Sequence, residues 1–139
     1  MIGKLIVLFP AILLTLPSST LSQQREALLV SIEPLEVQGE AHPEQALAIS
    51  KELRALVHSD SDIDVIPAEK AATTPHKYRL IGEIYAGGGR HFVGLRLLEA
   101  NTGDVVWSEN YDYTNITTDM MAKDVALALH AASTAGQSR

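Results

Sequence analysis

The apolar positions of this chain change period several times, and each change predicts an element. Leu28-Leu29-Val30-Ser31-Ile32 is short, β-branched in part and stopped by Pro34, which reads as a strand. Val37 to His42 holds Gly39 among polar residues and reads as a loop. Pro43 then falls where the first helical turn tolerates a missing N–H, with Glu44 beside the positive helix end. Ala46, Ile49, Leu53, Leu56 and Val57 recur at spacings of three and four, with Lys51, Glu52 and Arg54 on the solvated side. This helix should end near His58 or Ser59.

Asp62-Ile63-Asp64-Val65-Ile66, closed by Pro67, predicts a second short strand, and Ala68 to Pro75 is a weakly patterned connection. Alternation resumes at Tyr78, placing Tyr78, Leu80, Gly82 and Ile84 on one face. Gly87-Gly88-Gly89 forms a turn, since glycine takes positive φ without strain. Val93, Leu95 and Leu97 align along a strand from Phe92 to Ala100, and Asn101-Thr102-Gly103-Asp104 turns the chain again. Val105, Trp107, Tyr111 and Tyr113 alternate along a last strand, so residues 78–113 make an antiparallel meander. Thr117 or Thr118 can cap a final helix with Asp119 in its first turn and a stripe of Met121, Val125, Ala128, Leu129 and Ala132. Ala135 to Arg139 is a polar end that should fray. The predicted fold is α+β in the order β-α-β-β-β-β-α: a mixed sheet of about five strands, the first joining the meander in parallel, with two helices on one face.

The first residues follow none of these periods. Lys4 precedes an apolar run from Leu5 to Leu16, broken by Pro17 and followed by Ser18, Ser19, Thr20 and Ser22. That is the layout of a secretory signal peptide over residues 1–22, cut before Gln23, and the run is shorter than the ~20 residues that span a bilayer. The expectation is an exported product, residues 23–139, folded as one domain.

Charge and cysteine content narrow what this product can do. The formal net charge is −6 and the leader holds a lysine but no acid, so the remainder is more acidic still. An acidic chain lacks the basic stripe that nucleic acid demands and has no electrostatic attraction to anionic lipid. The absence of cysteine excludes disulfides, thiol catalysis, Cys-ligated metals and a lipid-bearing cysteine, leaving no stable membrane anchor once the leader is removed.

No catalytic pattern is complete. Asp60, Asp62 and Asp64 form D-x-D-x-D, but a calcium loop needs Gly at its sixth position and Glu at its twelfth, where Val65 and Ala71 stand. Gly82 to Gly89 has part of a phosphate-loop spacing without its Lys and Ser/Thr, and a hairpin turn accounts for it. His42, His58, His76, His91 and His130 form no H-E-x-x-H and no i, i+4 pair. Glu99, Glu109 and Asp112 could supply a carboxylate pair for glycoside chemistry, though carboxylates are common at turns and edges. The reading is therefore no catalytic residue, no metal site, no cofactor and no enzyme. Trp107 is placed in the core because it aligns with Val105, while Tyr111 and Tyr113, with Glu109 and Asp112, are candidates for an interaction surface.

Several segments resemble the family of the amino-terminal domain of TolB. Tyr78-Arg79-Leu80-Ile81-Gly82-Glu83-Ile84 resembles its Y-x-L-x-G-x-[IV] segment, and Leu95 to Gly103 its L-x-D-A-x-T-G turn. Val106-Trp107-Ser108-Glu109-Asn110-Tyr111-Asp112 resembles its [LV]-W-[SA]-E-x-[YF]-D. Upstream, Pro34-Leu35-Glu36, Pro43-Glu44-Gln45 and Ser50-Lys51-Glu52-Leu53 are similar to its P-F-E, P-E-Q and T-E-E-L segments. The signature positions are thus Tyr78, Gly82, Thr102, Gly103 and Trp107. The chain departs from the family in a shorter first helix and in a 68–76 stretch too short for the second helix usual there. Family members occur as periplasmic domains, some fused to propellers, cyclases or tetratricopeptide arrays, and a similar arrangement appears in accessory lipoproteins that activate cell-wall synthases. The resemblance implies a non-catalytic module binding another envelope protein. The alternative is a small-molecule-sensing domain with a pocket between helix and sheet.

Overall fold

The strand Tyr78–Gly87, β4, sets the frame of the molecule, because its alternation is uninterrupted. In the computed structural model, which describes residues 27–137, Tyr78, Leu80, Gly82, Ile84 and Ala86 are all buried along this strand. The predicted leader lies outside the described residues. The other elements, in chain order, are β1 (Leu28–Ile32), β2 (Glu36–Gly39), α1 (Pro43–His58), β3 (Ile63–Ile66), a 3₁₀ turn (Ala68–Lys70), β5 (Arg90–Glu99), β6 (Val105–Asp112) and α2 (Thr118–Gln137). The six-stranded sheet runs β3-β1-β4-β5-β6, with β2 also on β4.

The fold is the expected α+β arrangement. β4, β5 and β6 form the antiparallel meander, in which Leu80 faces Leu97, Ile84 faces Val93 and Val93 faces Tyr111. Gly88 and Gly89 close the first hairpin at φ 61° and 76°, the conformation that a two-residue turn matching strand twist requires. β1 joins β4 in parallel through Val30 opposite Tyr78, and β3 extends the parallel half. One continuous core takes in Val30, Ile32, Leu80, Leu95, Ile49 and Leu53 of α1, and Met121, Val125 and Leu129 of α2, so both helices cover one face.

Two features depart from the sequence reading. Residues 37–39, expected within a loop, join Glu36 in β2, which pairs in parallel with Glu83–Ala86. All four β2 residues are exposed, so main-chain bonds to the β4 edge hold the strand without an apolar pattern. Between β1 and β2, Leu35 drops into the core and its N–H donates to Ser50 Oγ at 2.9 Å, whose hydroxyl donates to the Ala46 carbonyl at 2.6 Å. Gly82 makes room: a Cβ there would collide with the Gly94 carbonyl and stand 2.9 Å from a Leu35 methyl.

The second departure is a β-bulge. Leu97 pairs with Trp107 but Leu98 with Val105, so Val106 is the extra residue. Val105 and Trp107 therefore point to opposite faces, and the expected alignment of the two does not occur. Val105 is 54% exposed, whereas Trp107 is half-buried against the core.

The connection from β3 to β4 is irregular, as its weak pattern predicts, and must pass over β1. A right-handed crossover running back in this direction lies on the face opposite α1. Ser31 and Ile66 alternate to that face and are 2% and 5% exposed, and Ile66 and Leu98 are buried outside the main core. Between β3 and β4 the chain forms one 3₁₀ turn, Ala68–Lys70, and no longer helix.

Candidate functional site

β6 is an edge strand: β5 pairs with one side of it, and among the described residues no strand pairs with the other. It contains neither Lys nor Pro, two residues that commonly protect such edges, and its bulge lies at its start, leaving Trp107–Asp112 regular. Exposed Val105 and Val106 flank this run at one end.

At the same end, Trp107 borders a cleft of about 540 Å³ between the sheet and α2. Ala128, Ala131 and Ala132 supply the helix wall, where short side chains keep the space open. Tyr78 forms part of the floor, with the Lys77 ammonium 5.7 Å from its ring centre, within cation–π range. Glu99 lines the cleft as well, so it holds one cation, one carboxylate and an indole.

The four residues expected on an interaction surface differ in setting. Glu109 and Asp112 are exposed, and Tyr113 is half-buried with its hydroxyl 3.4 Å from Thr118 Oγ1. Tyr111 is 5% exposed and belongs to the core, so it has no ring face to offer a partner. Its hydroxyl donates to Asp124 Oδ2 at 2.8 Å, and burial first, then the Asp124 carboxylate, push the phenol above its ordinary pKa. Asp112 accepts from the Thr114 hydroxyl at 2.6 Å and from the Thr114 N–H at 3.0 Å, which holds its carboxyl below the usual range and fixes the turn after β6. Of the signature positions, Tyr78 is core and Gly82 admits Leu35. Thr102 Oγ1 accepts from the Asp104 N–H at 3.2 Å, while Gly103 takes a φ of 80° in the same turn.

The three carboxylates considered for glycoside chemistry do not converge. Asp112 pairs with Phe92 and Glu99 ends the same strand, placing them ~24 Å apart at the rise of an extended chain. Glu109 pairs with Leu95, ~13 Å along β5 from Glu99, and shows the face opposite to Asp112. A glycosidase pair needs about 5–9.5 Å.

Elsewhere, the turn after α1 carries a feature that was not legible in the sequence. His130 of α2 reaches it, with Nε2 3.2 Å from Asp60 Oδ2, and Asp62 completes a group of three. The Asp62 N–H donates to Asp60 Oδ1 at 2.9 Å and is the main reason the Asp60 carboxyl sits below its usual range; partial burial opposes this and His130 adds to it. Asp64 stays apart, exposed on β3.

No protein-family model matches the chain, and no curated protein sequence matches it. Solved structures do. TolB from Acinetobacter baumannii is similar with a TM-score of 0.53 and 12% identity, over 80% of this chain and 29% of that one. LpoB of E. coli, solved by NMR, is similar with a TM-score of 0.51 and 11% identity, over 68% of this chain and 61% of that one. PelC, a dodecamer from Paraburkholderia phytofirmans, shares 22% identity over 74% of this chain and 86% of that one, with a TM-score of 0.48. The fold is thus TolB-like and LpoB-like. No helix among the described residues is long and apolar enough to cross a membrane.

Proposed function

We propose that this chain is an exported, periplasmic protein-binding module of the bacterial envelope that catalyses no reaction and docks another envelope protein along the outer edge of β6. The unpaired edge itself carries the reading: main-chain donors and acceptors there can bond an added strand. Exposed Val105 and Val106 add apolar contact at one end, and Glu109 and Asp112 favour a partner segment of positive charge. The signal-peptide pattern of residues 1–22 and the likeness in fold to TolB and LpoB support the compartment.

A photo-crosslinking residue at Ser108 or Asn110, compared with one at exposed Leu47 of α1, tests the proposal in intact cells. The expected result is one envelope protein captured from the β6 positions and not from Leu47, with the purified pair dissociating as salt rises. Equal capture at Leu47, or capture of cytoplasmic proteins alone, refutes it.

The cleft beside Trp107 favours a second reading, a domain that senses a small molecule bearing both an apolar body and a charged group. Stabilisation by a metabolite in a thermal-shift screen, abolished by Ala132→Leu, would support that reading over the first.

A further inference from the structure

We infer that Asp60, Asp62 and His130 form a binding site for a first-row divalent transition metal, for which Zn²⁺ is the test ion. One ligand atom from each residue lies within 4.8 Å of the other two. Ligand atoms around a tetrahedral zinc stand ~3.4 Å apart, given metal–ligand distances of about 2.0–2.2 Å. His130 Nε2 and Asp60 Oδ2, at 3.2 Å, already have that spacing. Only the exposed Asp62 side chain, whose ligand oxygen lies within 4.8 Å of the other two, must close in, which a rotamer adjustment supplies.

The backbone arranges two of the ligands. The Asp62 N–H occupies Asp60 Oδ1, which leaves Oδ2 for His130, and the Ile63 N–H bonds the Asp60 carbonyl at 3.1 Å. His130 comes from α2, far along the chain, so the set is an imidazole meeting two carboxylates rather than an acidic turn. The imidazole decides the class of metal. Calcium and magnesium take oxygen ligands, whereas nitrogen suits zinc, copper, nickel and cobalt. The Asp60 and His130 side chains are 27% and 41% exposed, so a bound ion would reach solvent and complete its shell with water. Bound metal would also tie the turn after α1 to α2, and so stabilise the folded chain.

Isothermal titration and thermal unfolding of the untagged protein with Zn²⁺ test this inference. One ion should bind per chain, with a saturable rise of about 5–10 °C in the unfolding midpoint and none with Mg²⁺ or Ca²⁺. His130→Gln and Asp62→Asn should each weaken binding about tenfold or more, while Asp64→Asn and His58→Gln leave it unchanged. Asp62→Asn alters an exposed side chain and keeps the fold, so its loss of binding is not a loss of structure. No saturable binding to the native chain overturns the inference. So does binding that persists in His130→Gln, or that falls as far in Asp64→Asn as in Asp62→Asn.

Discussion

Tyr111→Phe isolates a polar contact that ties β6 to α2 through a buried ring. The substitution keeps the ring, which is 5% exposed, and removes the hydroxyl that donates to Asp124 Oδ2 at 2.8 Å. A hydrogen bond to a charged group contributes about 1.5–3 kcal/mol, and Asp124 is only half-buried, so the expected loss is about 1–2 kcal/mol. For a domain near this size, that lowers the unfolding midpoint by about 5–10 °C. Urea titrations followed by the fluorescence of Trp107, the only tryptophan, measure it directly. The pH dependence adds a second signature. Burial, then Asp124, raise the folded phenol above its ordinary value of 10.0, so the folded state favours the neutral form. That contribution is complete below pH 10 and is lost as pH rises further, because the unfolded phenol ionises first. The native chain should therefore lose stability above pH 10 more steeply than Tyr111→Phe. A Tyr111→Phe variant within about 0.3 kcal/mol of the native chain, or additivity with Asp124→Asn in a double-mutant cycle, refutes the reasoning.

Other predictions concern the joint between β1 and β2 and the turn after β6. Ser50→Ala should cost about 1–3 kcal/mol in denaturant titrations, since it strands the Leu35 N–H in the core. Gly82→Ala should destabilise by about 1–3 kcal/mol, because the new methyl meets Leu35, Leu95 and the Gly94 carbonyl; pairing it with Leu35→Ala should recover part of the loss. The Asp112 carboxyl is held down by its two bonds from Thr114, so the turn it fixes is intact above pH 3.8 and loosens as pH falls below it. Amide exchange at Thr114, corrected for its intrinsic pH dependence, should show that loosening, and Asp112→Ala should abolish the transition.

What the sequence could disclose follows from where burial leaves a periodic mark. β4 and β5 were legible because Tyr78, Leu80, Ile84, Val93, Leu95 and Leu97 face one core at a strict period of two. α1 was legible from its stripe and from Pro43 at its start. β2 carries no such mark, since its side chains are all exposed and its bonds are main-chain. The two faces shown by Val105 and Trp107 depend on the extra residue between Leu97 and Leu98 partners, and an alternating string of letters does not reveal an insertion. Of the expected surface, Glu109 and Asp112 were legible as polar positions. Tyr111 was not assignable, because only the fold brings Asp124 to its hydroxyl. The encounter of His130 with Asp60 joins positions 70 residues apart, and no local window contains it.

The two sides of β4 also differ in how the chain can reach them. On one side, tight hairpins deliver β5 and then β6, so pairing costs little loop-closure entropy. On the other, Val30 must find Tyr78 across α1 and β3 before β1 and β2 can dock. Non-local parallel pairing of this kind is intrinsically slow. A full-length chain that refolds therefore completes the meander while the far edge of β4 is bare, and the docking of β1 and β2 sets how long that edge remains a hazard for self-association.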